Sequence, residues 1–137
     1  MNEDLDVAEA KRVTQAVENQ IVDAVPAQFV VARQQLEAGS FLSCGDGGYY
    51  WSGFITAQIG GDPDPSSILG PILATFNNLP AFAAYSRSSQ GDQVIDLQNE
   101  DGSLWIVRYR DDRDELSVDS FSACFRLPDD IWPGSPY

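Results

Sequence analysis

The first part of the chain places apolar residues at the spacing of an amphipathic α-helix. Asp6 followed by Glu9 resembles a capping box, which predicts where this helix begins, and Pro26 predicts where it ends. We expect the helix to pack on its own sheet, with partner binding as the alternative. The predicted apolar stripe comprises Ala10, Val13, Ala16, Val17, Ile21, Ala24 and Val25, and the predicted polar face comprises Lys11, Gln15, Glu18 and Asn19.

Period-two alternation follows, which is the signature of β-strands. Residues 27–43 are rich in β-formers but irregular, and residues 45–48, Gly-Asp-Gly-Gly, give a strong turn signal. The strand after this turn is the clearest in the chain, and Gly53 midway along it leaves space for a close helix. Its predicted core face comprises Tyr49, Trp51, Gly53, Ile55, Ala57 and Ile59.

A second helix is predicted after the Gly- and Pro-rich loop of residues 60–67. We predict Ser67 as its N-cap, because Pro71 then falls in the first turn, where a backbone N–H has no intrahelical partner. The residues Asn77 to Pro80 end it. Its predicted buried stripe comprises Ile68, Leu69, Ile72, Leu73 and Phe76.

The rest of the chain predicts an antiparallel meander. Strands are expected at 82–86, 94–97 and 104–109 and in a last segment reaching Phe121, with short turns between them. The prediction is a single α+β domain over residues 1–137, with two helices packed on one face of a largely antiparallel sheet in the order α-β-β-α-β-β-β-β.

The two ends of the chain are expected to differ. Residues 1–5 are expected to be disordered. The Pro-rich tail, residues 128–137, is expected to dock on the domain, because Trp132 and Tyr137 are costly to leave in water.

Charge restricts the partners. The chain has 21 acidic residues against eight Lys plus Arg, a formal net charge of −13, and Lys11 is its one lysine. Nucleic acid is excluded as a partner, because its binding depends on basic residues that neutralise phosphates. A basic protein, a cation or a neutral ligand remains compatible, and so does simple solubility.

Composition also restricts the chemistry. There is no histidine, which excludes Ser-His-Asp and Cys-His catalysis and zinc sites that need His. The acidic run of residues 111–115 lacks EF-hand spacing and is interpreted as a hairpin turn, with calcium binding left open. We predict no catalytic residues, no cofactor and no metal site, with a carboxylate-only hydrolase as a distant alternative.

Cys44 and Cys124 are the only cysteines. They lack the spacing of a redox motif, and two thiols alone cannot make a zinc site. A structural disulfide between them is predicted, with two buried thiols as the alternative. A disulfide would indicate an oxidising compartment outside the cytosol. No stretch approaches a membrane span, and the acidic start at residues 1–4 is unlike a signal peptide.

Two segments carry a family resemblance. Residues 119–130, Asp-Ser-Phe-Ser-Ala-Cys-Phe-Arg-Leu-Pro-Asp-Asp, resemble the ending of small actinobacterial cell-envelope lipoproteins of unknown function, and residues 42–51 around Cys44 are similar to their other cysteine region. The resemblance implies export, a two-cysteine bridge and lipid anchoring through an upstream cysteine. This sequence lacks that anchor cysteine, so membrane attachment is expected only through an anchor absent from these residues.

The expected function is that of a non-catalytic, extracytoplasmic domain, secreted or attached to the cell envelope, that binds a protein or small ligand. The alternative is an acidic inhibitor or immunity-type protein for a basic partner. A ligand-binding domain should have an apolar pocket between a helix and the sheet, whereas an inhibitor should have a clustered acidic face.

Overall fold

The computed structural model describes all 137 residues, which form two helices and eight strands. A short 3₁₀ turn at Ala27–Phe29 precedes the first strand. The elements are α1 (Val7–Ala24), β1 (Val30–Gln35), β2 (Ser40–Gly45), β3 (Gly48–Ile59), α2 (Pro65–Asn77), β4 (Phe82–Ser89), β5 (Asp92–Asn99), β6 (Leu104–Arg110), β7 (Glu115–Phe121) and β8 (Phe125–Arg126).

The eight strands form one sheet in the order β1-β3-β7-β6-β5-β4, and β2 and β8 pair with β3 off this path. Every strand pairing is antiparallel. The predicted α+β class with two helices on one face of the sheet is confirmed. The order of elements along the chain agrees approximately with the predicted order. The differences are that residues 27–43 form two strands where one was expected, and that β8 is an additional short strand.

The core lies between the sheet and both helices. α1 lies against β3 and β7, and α2 lies against β4, β5 and β6. The predicted alternation in β3 is confirmed, because Trp51, Ile55 and Ala57 are all fully buried. The main apolar cluster consists of Val17, Ile21, Val22, Val25, Ile55, Ala57, Ile59, Ile68, Leu69, Ile72, Phe76, Ile95, Leu97, Trp105, Val107, Tyr109, Leu116 and Val118.

α1 begins where its cap predicts, but its buried face is rotated from the predicted one. The Glu9 backbone N–H donates to Asp6 Oδ1 at 2.8 Å, while the Glu9 side chain pairs with Arg12 instead of completing a capping box. Ala16 is exposed and Glu18, assigned to the polar face, is buried. The buried face is rotated because Thr14, Glu18 and Val22, which are spaced four residues apart, face the sheet.

The predicted start of α2 is wrong by three residues, because the N-cap is Asp64 and not Ser67. The helix begins at Pro65 and contains Pro71 in its interior. Pro65 suits the first helical position, because its fixed φ is already helical and its missing N–H would have had no partner. Pro71 therefore removes the hydrogen bond that the Ser67 carbonyl would have accepted, and burial of the predicted stripe, including Ile68, Ile72 and Phe76, outweighs that loss.

The Cys44–Cys124 disulfide is present and links the end of β2 to the residue before β8, with 6.2 Å between the two Cα atoms. It crosses over Gly48, the first residue of β3. A Cβ atom added to Gly48 would lie 2.7 Å from Cys124 Sγ and 2.9 Å from Cys44 Sγ. The disulfide therefore occupies the space that any side chain at position 48 would need.

Both ends of the chain contact this region. The Asn2 backbone N–H donates to the Cys124 carbonyl at 2.8 Å, although the expectation of disorder at residues 1–5 stays a prediction. Tyr137 exchanges backbone hydrogen bonds with Gly39, and the Trp51 indole N–H donates to the Tyr137 carbonyl at 3.0 Å. Trp132, expected to be covered, is 73% exposed.

Replacing Gly48 with alanine should destabilise the protein, because the new methyl group and the disulfide cannot share the same space. We expect Gly48→Ala to lower the free energy of unfolding by about 1–3 kcal/mol. Gly70→Ala is the control: its Cβ meets no atom within 4 Å, and alanine in a helix interior is favoured by about 0.5–1 kcal/mol over glycine. Urea unfolding measures both, and a Gly48→Ala protein with an intact disulfide and unchanged stability would contradict the expectation.

Candidate binding site

A groove lies between the N-terminal half of α2 and strands β4 and β5, and we call it the α2 groove. Its volume is about 520 Å³. Leu69 and Leu73 form the apolar part of the helix wall, and Ile95 forms the apolar part of the sheet wall. The full lining is Asp64, Pro65, Ser66, Leu69, Gly70, Leu73, Ser86, Gln93, Val94 and Ile95.

One of the helix residues that line the groove is a glycine, Gly70, which is exposed. A Cβ atom built on Gly70 meets no atom within 4 Å. Leu69 and Ile95 also belong to the main core, so two of the lining side chains are held by packing on their other sides. The hollow is therefore a feature of packed elements and not of a loop.

The polar groups of the α2 groove lie toward the start of the helix. Asp64 occupies the N-cap position of α2, but its side chain makes no capping hydrogen bond. It is exposed and forms no ion pair. Ser66, Ser86 and Gln93 add uncharged hydrogen-bonding groups. The groove thus has a mixed lining, with apolar side chains from Leu69, Leu73 and Ile95 and an unpaired carboxylate, Asp64, near the start of α2.

A second hollow lies on the face of the sheet opposite the helices, and we call it the open-face hollow. It has a volume of about 410 Å³ and is lined by Leu42, Ser43, Tyr50, Gly102, Leu104, Ile106 and Phe121. Charged side chains share this face: Arg87 pairs with Asp96, and Arg108 with Asp92. This hollow has no helix wall, so it is a shallower feature of the bare sheet.

The most unusual side chain in the protein is Glu18, which is 0% exposed in the middle of α1. Its Oε2 accepts a hydrogen bond from the Ser120 hydroxyl at 2.6 Å, and its Oε1 accepts one from the Gln35 amide at 2.9 Å. Gly53 makes room for it, because a Cβ there would lie 3.0 Å from Glu18 Oε2 and closer still to the Trp51 ring. The carboxylate therefore ties α1 to β7 and β1.

Burial raises the pKa of Glu18 above its usual range, and the nearby charge of Asp119 acts in the same direction. The hydrogen bonds from Ser120 and Gln35 lower the pKa and offset part of the effect. Glu18 lines none of the larger grooves. The cluster is satisfied, like every other buried side-chain nitrogen and oxygen, and we interpret it as structural.

The acidic segments singled out in the sequence lie at the surface. Asp111, Asp112 and Asp114 are exposed in the turn between β6 and β7, and Asp62 and Asp64 are exposed before α2. No group of three or more His, Cys, Asp or Glu side chains is arranged to hold a metal ion. Cys44 and Cys124 lie far along the sheet from the α2 groove, joined to each other.

The fold is similar to the crystal structure, at 2.65 Å resolution, of a DUF4853 family protein from Actinomyces odontolyticus ATCC 17982. The TM-score is 0.55 with 18% sequence identity, over 97% of this chain and 76% of that chain. The chain matches no family model and no curated protein. At this identity the likeness establishes a shared fold with an actinobacterial protein of unknown function. Neither helix combines the length and apolarity that crossing a bilayer would require.

Replacing Glu18 with glutamine should change how stability depends on pH. A raised folded-state pKa means that Glu18 contributes stability at low pH, and this contribution is lost as pH rises above the usual glutamate pKa of about 4.3 and through the folded value. Glu18→Gln has no such loss, so its stability relative to wild type should increase from pH 4 to pH 8.

Urea unfolding at several pH values measures this difference, and the same change at the exposed Glu37 serves as the matched control. A stability difference for Glu18→Gln that stays constant across the pH range would contradict the assignment of a raised pKa.

Proposed function

We propose that this protein is a non-catalytic, extracytoplasmic domain that binds a ligand in the α2 groove. The groove itself is the observation that carries the proposal. It is a partly apolar hollow between a helix and the sheet, with a few polar groups in its lining. Its volume of about 520 Å³ lies within the range of about 300–1,000 Å³ typical of ligand sites.

The proposed location is supported by the disulfide. Disulfides persist in oxidising compartments and are rare in the cytosol. The fold is shared with an actinobacterial protein, and the segments around Cys44 and Cys124 resemble envelope lipoproteins from that group. We therefore propose an envelope protein, for which membrane attachment would need a lipid anchor outside these 137 residues.

A protein with a net charge of −13 favours a cationic or neutral ligand over an anionic one. This charge also supports a second candidate, an inhibitor of a basic protein, which would bind through an acidic surface. The α2 groove favours the first candidate, because an inhibitor that acts through charge alone needs no apolar hollow.

The binding role of the groove is tested by filling it. Small organic fragments screened against ¹⁵N-labelled protein should shift the amide signals of Leu69, Gly70 and Ile95. Gly70→Leu adds a side chain to the lining of the groove. It should weaken fragment binding about tenfold or more, because the added side chain occupies space that a weakly bound fragment would use.

Ala74→Leu is the matched control, because it adds the same side chain to an exposed position of α2 that does not line the groove. Fragments that bind equally well to wild type and Gly70→Leu, or that bind elsewhere, would overturn the proposed site.

The proposed location is tested through the disulfide. Protein recovered from an oxidising compartment should have no free thiol and show a mass two hydrogen atoms below that of the reduced chain, since the oxidant of the compartment takes up the two electrons and two protons. Its reduction should lower the free energy of unfolding by roughly 4 kcal/mol, because the bond closes a loop with a sequence separation of 80 residues. Two alkylatable thiols in the exported protein would contradict both the disulfide's role and the location.

A further inference from the structure

Strand β4 is the outermost strand at one end of the sheet and pairs only with β5. Its outer edge carries backbone N–H and C=O groups that no other strand satisfies. A row of such groups is a template onto which another extended chain can add. The α2 groove lies beside this edge, because Ser86 of β4 is part of its lining.

The direction of the backbone groups along β4 follows from the hairpin that joins it to β5. Gln90 and Gly91 form a two-residue turn with φ values of 52° and 84°, and Ser89 pairs with Asp92 across it. Since backbone groups alternate in direction along a strand, residues 83, 85, 87 and 89 bond to β5 and the even-numbered residues point outward.

Two of the outward N–H groups are satisfied within the chain and two are not. The Phe82 N–H donates to the Leu79 carbonyl at 3.0 Å, and the Ala84 N–H donates to the Asn77 side chain at 3.1 Å. The equivalent groups of Ser86 and Ser88 face solvent, in a stretch from residue 85 to residue 88 that is exposed throughout. The open part of the edge therefore begins where the protection by the α2–β4 loop stops.

We infer that the α2 groove takes an extended peptide segment of a partner protein, which adds to β4 as a further strand. The inference rests on the proposed binding function of this groove. In such a complex the segment exchanges backbone hydrogen bonds with Ser86 and Ser88. Its side chains alternate between the two faces of the sheet, so that every second one enters the groove against Leu69, Leu73 and Ile95.

The charges in and around the groove specify the segment further. Asp64 lines it, is exposed and has no cationic partner, while Arg87 on the edge strand is already paired with Asp96. A lysine or arginine of the bound segment would complement the Asp64 carboxylate. The segment is therefore apolar at alternate positions and basic at the end that lies near the start of α2.

A second copy of this chain fits the same edge less well. Pairing of β4 with β4 of another copy would bring together two molecules that each carry a net charge of −13, and net charge of one sign opposes self-association. A basic segment meets the opposite electrostatic condition, which is why we assign the edge to a different protein.

The test uses a displayed library of random linear peptides, selected on the intact, disulfide-bonded protein. Enriched peptides should have apolar residues at alternate positions and a flanking Lys or Arg. Binding should protect the Ser86 and Ser88 amides from hydrogen exchange. Ser86→Pro removes one outward N–H and should weaken binding about tenfold, the effect of a lost hydrogen bond with its local geometry.

Ser86→Ala is the comparison variant, because it removes the same hydroxyl and keeps the N–H, so the further loss of affinity from Ser86→Ala to Ser86→Pro, about tenfold, measures the contribution of the N–H with its local geometry. Proline is tolerated on edge strands where the N–H faces solvent, and thermal unfolding confirms that the variant is folded. If Ser86→Pro fails to fold, amide protection in the wild-type complex decides the question.

Peptides that Ser86→Pro binds as tightly as wild type, or complexes without protection of Ser86 and Ser88, would overturn strand addition. So would a library that yields no peptide while organic fragments still bind in the groove, and in that case the proposed function stands without this inference. Concentration-dependent dimers that Ser86→Pro abolishes would assign the edge to a second copy and would also overturn the inference.

Discussion

β3 is the strand on which the rest of the structure depends, because it pairs with four others, β1 and β2 along one edge and β7 and β8 along the other. Two of its residues are glycines at positions where a side chain would meet other groups. A Cβ atom at Gly48 would meet the disulfide, and a Cβ atom at Gly53 would meet the Trp51 ring and the Glu18 carboxylate. This half of the sheet contains the Cys44–Cys124 disulfide, the contacts of both chain ends and the buried carboxylate of Glu18. The α2 groove lies at the opposite end, beside β4 and β5.

The two helices are attached in different ways, and the difference explains where the groove lies. α1 is held by directional bonds as well as apolar packing, because Glu18 accepts from Ser120 and Gln35, and the Trp105 indole donates to the Thr14 carbonyl. These hydrogen bonds to two strands constrain the position of α1 on the sheet. α2 packs on the sheet through its apolar stripe, with an interior proline and Gly70 on the groove side. Its directional bond to the sheet is at the C-terminal end, where the Ala84 N–H donates to the Asn77 side chain, whereas the groove lies along the N-terminal half.

Most strand positions and the buried stripe of α2 follow from local patterns, so the sequence predicts them. The division of residues 27–43 into β1 and β2, and the short strand β8, were not predicted. Glu18 was placed on the wrong face, because a charged residue is assigned to solvent unless its partners are known, and Ser120 is 102 residues away. The row from Thr14 through Glu18 to Val22 was the available signal. The groove depends on which elements flank Gly70, and the free edge of β4 depends on the order of the strands. Both depend on tertiary structure, which the hydrophobic periodicity of the sequence does not predict.

The likeness to the Actinomyces protein concerns the fold and not the groove. At 18% identity two chains share an arrangement of helices and strands, while the side chains that recognise a ligand are free to differ. The fold accounts for an exposed edge at β4, since every open sheet has two edges. It does not account for the exposed glycine at position 70 in the groove lining, or for Asp64, whose side chain makes no capping hydrogen bond. Such residues, dispensable for packing and placed around one hollow, are where recognition in this protein is to be sought.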